Sequence, residues 1–352
     1  MIPERRLDVA VLGTGPLALI EGLRLAEAGR KVTFLDRGDQ IGGSWTSPDI
    51  LGFGGVEVGV HLIENRARVN DWMEQTIGFK NLITGNGLDF GVIKGKRLSI
   101  TTTRIVLHSL VALNALRRGH WGSARRISLS AARAILQYRR DVLYPKGGMR
   151  QLLGSLVNAL EMQGAEIHLN TPVERVSSMA DGVTLHGDGW QAQAEKLVMF
   201  SRAHAPIEGM ADWEAGIRAG DCHSLILHLG GAHPAFDGYV EIIGDALLKR
   251  VRNVGHFARP MPQGDESLIC AQLRAPMNNE SGAEVLARLA ALNLVPEHTH
   301  IIARHEDVVP LATLTPRAQR AINRRFNPRI EVLESTDFAD CLETRLRQLK
   351  SE

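Results

Sequence analysis

The residues from Leu7 to Asp36 constrain this chain more than any other stretch. Leu7–Leu12 (LDVAVL) is a short apolar run of the kind that fills a buried parallel strand. It stops at Gly13-Thr14-Gly15-Pro16-Leu17-Ala18. Leu17–Ala28 then reads as a helix ended by Gly29, and Lys31–Leu35 (KVTFL) reads as a second strand closed by Asp36. Strand, turn, helix, strand and terminal acid in this register predict a Rossmann-type βαβ unit that binds the ADP half of a dinucleotide. Gly13 allows the tight turn. Gly15 lets the backbone approach a pyrophosphate, with Pro16 and Leu17 opening the helix whose free N–H groups face the phosphates. Ala18, in the third glycine position, keeps helix and strand close. Asp36 stands where a carboxylate accepts the ribose hydroxyls, and it would repel the 2′-phosphate of NADP.

The residues after Asp36 select among dinucleotides. Asp36-Arg37-Gly38-Asp39-Gln40-Ile41-Gly42-Gly43-Ser44-Trp45 resembles the extended FAD signature of the glutathione-reductase-like superfamily. That resemblance implies that Arg37, Gly42, Gly43 and Ser44 also contact the cofactor. Further on, Tyr144-Pro145-Lys146-Gly147-Gly148-Met149 precedes an amphipathic helix, Gln151–Gln163, a strand, Ala165–Asn170, and Thr171-Pro172-Val173-Glu174-Arg175-Val176. This pattern resembles the amine oxidase, protoporphyrinogen oxidase and phytoene desaturase group, in which the Val173 position meets the adenine through its backbone.

Two stretches resemble UDP-galactopyranose mutase, a cousin on the same fold. One is Gly59-Val60-His61-Leu62-Ile63-Glu64-Asn65 with Val69, Asp71 and Trp72. The other runs from Arg329-Ile330-Glu331 through Thr336-Asp337-Phe338. The resemblance implies that Arg329, Thr336, Asp337 and Phe338 line the flavin end of the site, and that His61 passes close to the ring as a catalytic candidate. Pro328 stands where the mutase has glycine, and the mutase's paired tyrosines have no counterpart around Val308–Thr315.

These readings predict an α/β protein: a glutathione-reductase-like FAD domain built from 1–65, 143–205 and 300–352, interleaved with an α+β substrate domain from 66–142 and 206–299. In the second insertion, Ser224–Leu229, Tyr239–Ile243, Leu247–His256 and Ser267–Leu273 read as antiparallel strands and Gly282–Leu294 as a helix. Arg252, His256 and Arg274 there are candidates for an anionic substrate. Gly187-Asp188-Gly189 lacks a preceding buried strand and a following helix, so no second dinucleotide domain is expected. The chemistry implied is oxidation of a small metabolite by hydride transfer to flavin N5. The alternatives are a mutase-like isomerisation and a partner subunit that binds FAD without catalysis.

Composition closes off other classes. Net charge is +2, and Cys222, Cys270 and Cys341 form no CxxC pair, which argues against a zinc knuckle or redox dithiol. Sparse cysteines, no signal-peptide pattern and no long apolar run fit a cytoplasmic protein. Charge is lopsided in one place: eleven Lys and Arg between Phe90 and Arg140, with no Asp or Glu. That segment, Lys94–Arg140, is a basic solvated face, a docking site for an anionic substrate or carrier, or a peripheral contact with anionic lipid. No motif for sequence-specific nucleic-acid binding is present.

Overall fold

The computed structural model describes residues 6–58, 61, 63–80, 82–84, 92–93, 96–97, 142–210, 214–236, 239–242, 244–255, 260–278 and 281–334, with isolated positions between 106 and 121 and at 342. The first strand, β1 (Leu7–Leu12), has every residue but Asp8 buried. Its alternation serves two cores: Val9 and Val11 enter one, Ala10 and Leu12 the other. The helix α1 (Pro16–Glu27) returns the chain to β2 (Val32–Leu35), parallel to β1 with Val9 opposite Val32 and Leu12 opposite Leu35. The βαβ unit expected from the sequence is therefore present.

Later segments complete this sheet. The chain passes β3 (Ile63–Glu64), α2 (Ala67–Ile77), β4 (Leu82–Thr84), β5 (Val92–Ile93), β6 (Lys96–Arg97) and β7 (Val142–Pro145) before α3 (Met149–Met162). Then come β8 (Glu166–His168), β9 (Arg175–Met179), β10 (Gly182–Gly187) and β11 (Trp190–Phe200). The sheet order is β8-β2-β1-β11-β10-β9, with the late strand β17 (Ile330–Leu333) also on β11. β8, β2, β1, β11 and β17 are mutually parallel; β9, β10 and β11 form an antiparallel meander, its second turn at Gly187–Trp190. β11 is long enough to do both jobs. Trp190–Ala194 pairs with β10, and Leu197–Phe200 pairs with β17 along the same edge. α1, α2 and α3 cover one face of the sheet. The other face is covered by α5 (Pro316–Phe326), whose Thr315 side chain caps its first turn by accepting from Ala318 N–H.

Later strands form a second, antiparallel sheet, β13-β14-β15-β12-β16: β12 (Ile217–Gly230), β13 (Tyr239–Glu241), β14 (Leu248–Asn253), β15 (Ser267–Leu273) and β16 (His300–Leu314). β12 and β16 pair from Ile217–Leu314 to Gly230–His300, so residues 300–314 belong to this sheet and the chain returns to the first sheet only at α5. One face of the second sheet, with Leu225, Leu227, Val251 and Ala271, packs on α4 (Ser281–Ala291). Ile226, Leu268 and Cys270 on the opposite face pack against Ile50, Phe53 and Val56 from the first domain. Every residue of β15 is buried, as a strand covered on both faces requires. A three-stranded sheet, β3-β7-β4, and the β5–β6 hairpin complete the described elements. No helix among the described residues is long and apolar enough to cross a membrane. Most of the basic segment, Lys94–Arg140, lies outside the described residues.

Candidate functional site: a dinucleotide cradle facing a polar sheet

Two glycine turns meet at the carboxyl end of β1. Gly13 has φ +83, and a β-carbon there would lie 3.0 Å from the Ala203 side chain, so the fold itself requires glycine. Gly15 is different. Its φ of −61 suits any residue, and a β-carbon on it would meet nothing within 4 Å. That open space adjoins the N-terminus of α1, where the first N–H groups have no partner within the helix, because Gly15 is the residue that precedes it. The second turn, Gly42-Gly43, has φ of +123 and +55, and a β-carbon on Gly43 would come 3.4 Å from Gly15 Cα. Paired glycine turns around a helix N-terminus are a surface shaped for a diphosphate.

Thr14 ties the two turns together. Its N–H and hydroxyl both donate to Asp36 Oδ2, at 2.6 and 2.5 Å, and its hydroxyl oxygen accepts from Gly42 N–H at 3.3 Å. Asp36 Oδ1 accepts from Gly38 N–H at 2.8 Å. Thr171 N–H donates to Asp36 O at 2.7 Å and brings Thr171-Pro172-Val173 beside the acid, with Val173 half-buried. The sequence motif marks Asp36 but not Thr14. The close contact between α1 and the sheet is at Gly22, where a β-carbon would fall 2.1 Å from Phe34 Cζ, while Ala18 is packed in the core.

His61 lies against the second turn. Its ring stacks on Trp45, with centroids 5.0 Å apart, and Nε2 is 2.6 Å from Ser44 O. A carbonyl only accepts, so Nε2 carries the proton and Nδ1 is the lone-pair nitrogen. Desolvation, reinforced by the Arg252 and Arg250 charges, pushes its pKa down to about 3. His61 is therefore neutral at physiological pH, a hydrogen-bonding ring and a weak base.

The other candidates fall into three groups. His256, Thr336, Asp337 and Phe338 lie outside the described residues. Arg329 and Arg274 spend their guanidinium groups on backbone. Arg329 donates to Met179 O and sits 3.5 Å from Ser178 Oγ; Arg274 donates to Leu248 O at 3.2 Å and Ile242 O at 2.9 Å. Both thereby brace strand ends. Arg37 is exposed beside the cradle.

Arg252 is 2% exposed and binds Glu57, itself 1% exposed, at 2.9 Å. The other Glu57 oxygen accepts from the Tyr144 hydroxyl and from Met149 N–H, the latter at 2.8 Å. Glu57 thus caps the N-terminus of α3 while Arg252 lies over the Tyr144 ring, 4.4 Å from its centroid. Burial pushes the Tyr144 phenol pKa up, so it remains a donor. This knot joins the five-stranded sheet to the first domain. Nothing in the local sequence around Glu57 announces it.

A βαβ cradle with two glycine turns and an acid at the end of the second strand, in a chain with a separate antiparallel sheet packed on the first domain, is the arrangement of a dinucleotide-binding protein. The model of the FAD-dependent oxidoreductase family matches residues 8–290, and the chain belongs to that family. FAD is its cofactor, and the chain is an FAD-dependent oxidoreductase. Solved structures show the same fold at low identity. Putrescine oxidase bound to putrescine is 14% identical over 99% of both chains, with a TM-score of 0.67. A fatty acid isomerase from P. acnes that produces CLA is 14% identical over 99% of both chains, at 0.64. An oxidoreductase from Methanosarcina mazei is 15% identical over 85% of this chain and 87% of its own, at 0.60. No curated protein matches the sequence.

The acid at the end of β2 gives a direct test of the cradle. Asp36→Ala removes three hydrogen bonds that hold both turns and any ribose contact. We expect FAD affinity to fall by about 1–3 kcal/mol, measured by flavin fluorescence titration, with the Asp36→Asn variant in between. Wild-type affinity in Asp36→Ala would mean that the acid does not shape the site.

Proposed function

We propose that this chain is an FAD-dependent oxidase or dehydrogenase of a small, anionic metabolite. The observation that carries the reading is Gly15: a glycine that neither backbone angle nor packing demands, beside a helix N-terminus and a second glycine turn. Such a residue is explained by a ligand that comes close to the backbone. Gly13, Gly15, Gly42, Gly43 and the first N–H groups of α1 would hold the diphosphate. Asp36 would hold the ribose, and the Thr171–Val173 backbone the adenine. Bound there, FAD supplies the acceptor for a hydride from substrate at flavin N5.

The chain's own residues would do the rest. The Trp45–His61 stack packs beside the cradle, on the path the resemblance assigns to the flavin ring. His61 Nδ1, unprotonated at neutral pH, offers an acceptor and adds no charge. The inner face of the five-stranded sheet would close the reaction space and keep out water.

The purified protein is expected to be yellow and to release FAD, not FMN, on denaturation. Release of FMN, or failure of the colourless protein to take up FAD in a titration, would overturn the cofactor site. Substrate class is tested by anaerobic bleaching of the flavin against amines, amino acids, hydroxy acids and nucleotide sugars. Bleaching by any one establishes net oxidation. Turnover seen only after dithionite reduction would replace this reading with a mutase-like isomerisation.

A further inference from the structure

The five-stranded sheet carries a row of polar side chains where an apolar row would be the cheaper choice. Strand register places Glu241, Arg250, Gln272, Ser224 and Asp307 opposite one another on β13, β14, β15, β12 and β16. The row lies on the face that also bears Arg252, Cys270 and Ile226 one step along the strands. That face is turned toward the first domain, because Ile226 and Cys270 pack on Ile50, Phe53 and Val56, and Arg252 pairs with Glu57.

The centre of the row is buried and incompletely paired. Gln272 is 5% exposed and Ser224 1%. Gln272 Oε1 and Arg250 Nε are both buried with no hydrogen-bond partner among the described residues. The two residues are direct cross-strand neighbours. A buried guanidinium nitrogen and a buried amide end without partners each cost free energy, the charged group more than the neutral one. Neighbouring positive charge does not compete for an incoming anion, since Arg252 is already neutralised by Glu57. Arg250 also lies within electrostatic reach of His61, which rests on the Gly42–Trp45 turn of the cradle. The row therefore lies on the face of the sheet that is turned toward the first domain.

Resting on the FAD oxidoreductase reading above, we propose that Arg250, Gln272 and Ser224 form the subsite that binds the substrate's carboxylate. Arg250 donates through Nε and the adjacent guanidinium nitrogen, the fork that matches two carboxylate oxygens. Gln272 turns its amide so that Nε2 donates, because amide ends are interchangeable in a site that has fixed neither. Ser224 donates its hydroxyl from the next strand. Asp307, half-buried at the far end of the row with its pKa raised by burial, bounds the subsite on that side. Glu241, beyond Arg250 at the other end, limits the subsite on that side. Placed this way, the carboxylate anchors the substrate on the sheet while its oxidisable carbon reaches toward the cradle.

The test uses the FAD-loaded protein and two probes matched in shape, hexanoate and hexanamide, with binding measured by calorimetry. Hexanoate is expected to bind at least about tenfold more tightly than hexanamide. Gln272→Leu, which keeps the volume and removes only the polar end, and Arg250→Gln should each remove most of that preference. Flavin content, read from absorbance, should stay at the wild-type level in both. Arg250→Lys should retain part of the preference through charge alone. Equal binding of the two probes by the wild-type protein would overturn the proposal, as would variants that keep the full preference. Loss of flavin from the wild-type protein is a separate outcome that sinks the cofactor site. The subsite is still decided in that case, because calorimetry on the apoprotein compares the same two probes.

Discussion

Gly15→Val is expected to abolish FAD binding while the protein still folds. At most glycines in tight turns this separation fails, because the same substitution strains the backbone. Here φ is −61 and ψ 159, an extended conformation that a β-branched residue adopts readily. A β-carbon at Gly15 meets no protein atom within 4 Å, so the apoprotein gains no clash. The valine methyl groups would instead occupy the space beside the α1 N-terminus that the proposed site gives to the diphosphate. We expect at least a hundredfold loss of affinity, about 2.7 kcal/mol or more. The flavin-to-protein absorbance ratio and a fluorescence titration measure it, and the melting temperature of the apoprotein should match wild type. Gly13→Ala serves as the contrast. Its φ of +83 and the 3.0 Å approach to Ala203 mean that it should destabilise the apoprotein itself. Wild-type flavin content in Gly15→Val would remove the main structural support for the site.

The contrast between these two glycines also shows which features a sequence can carry. The βαβ unit was legible because its signals are local: an apolar run in Leu7–Leu12, small residues at fixed offsets, and an acid at the end of the next strand. The helix–sheet contact is another matter. The motif assigns close packing to the Ala18 position, but the contact that cannot tolerate a side chain is Gly22 on Phe34, a tertiary fact. The strand His300–Leu314 was obscured by its own chemistry. Arg304, His305, Glu306 and Asp307 interrupt its apolar run, so it does not read as part of a buried sheet, yet it pairs with β12 along its whole length. The strand expected at Leu247–His256 is found at Leu248–Asn253, and alternation along it puts Arg250 and Arg252 on one face. It does not say what covers that face, and so it could not reveal that Arg252 is engaged by Glu57 while Arg250 Nε is left unpartnered. Glu57 had no signal at all. Its partners, Tyr144 and Arg252, are 87 and 195 residues away.

That remoteness makes the Glu57–Arg252 pair the place where the second large effect is expected. Arg252→Met should destabilise the protein by about 3–5 kcal/mol, because Glu57 then remains buried with its charge uncompensated. Glu57→Gln should cost a similar amount by stranding the guanidinium, which is 2% exposed and lies over Tyr144. The double variant should be more stable than either single one, since the dominant penalty in each is the abandoned partner and not the lost attraction. Urea denaturation of the wild-type, single and double variants measures this directly. A simple sum of two small costs, each below about 1 kcal/mol as for an exposed pair, would show that the carboxylate and guanidinium are not desolvated together. The knot also fixes geometry. Glu57 caps α3 and holds Tyr144, while Arg252 sits on the strand that bears Arg250. Releasing it should let the five-stranded sheet shift relative to the cradle. In the double variant, therefore, recovered stability should not bring full recovery of carboxylate binding: hexanoate affinity should remain below wild type even where the melting curve does not. Stability and hexanoate affinity recovering in parallel would mean that the pair holds the protein together without positioning the site.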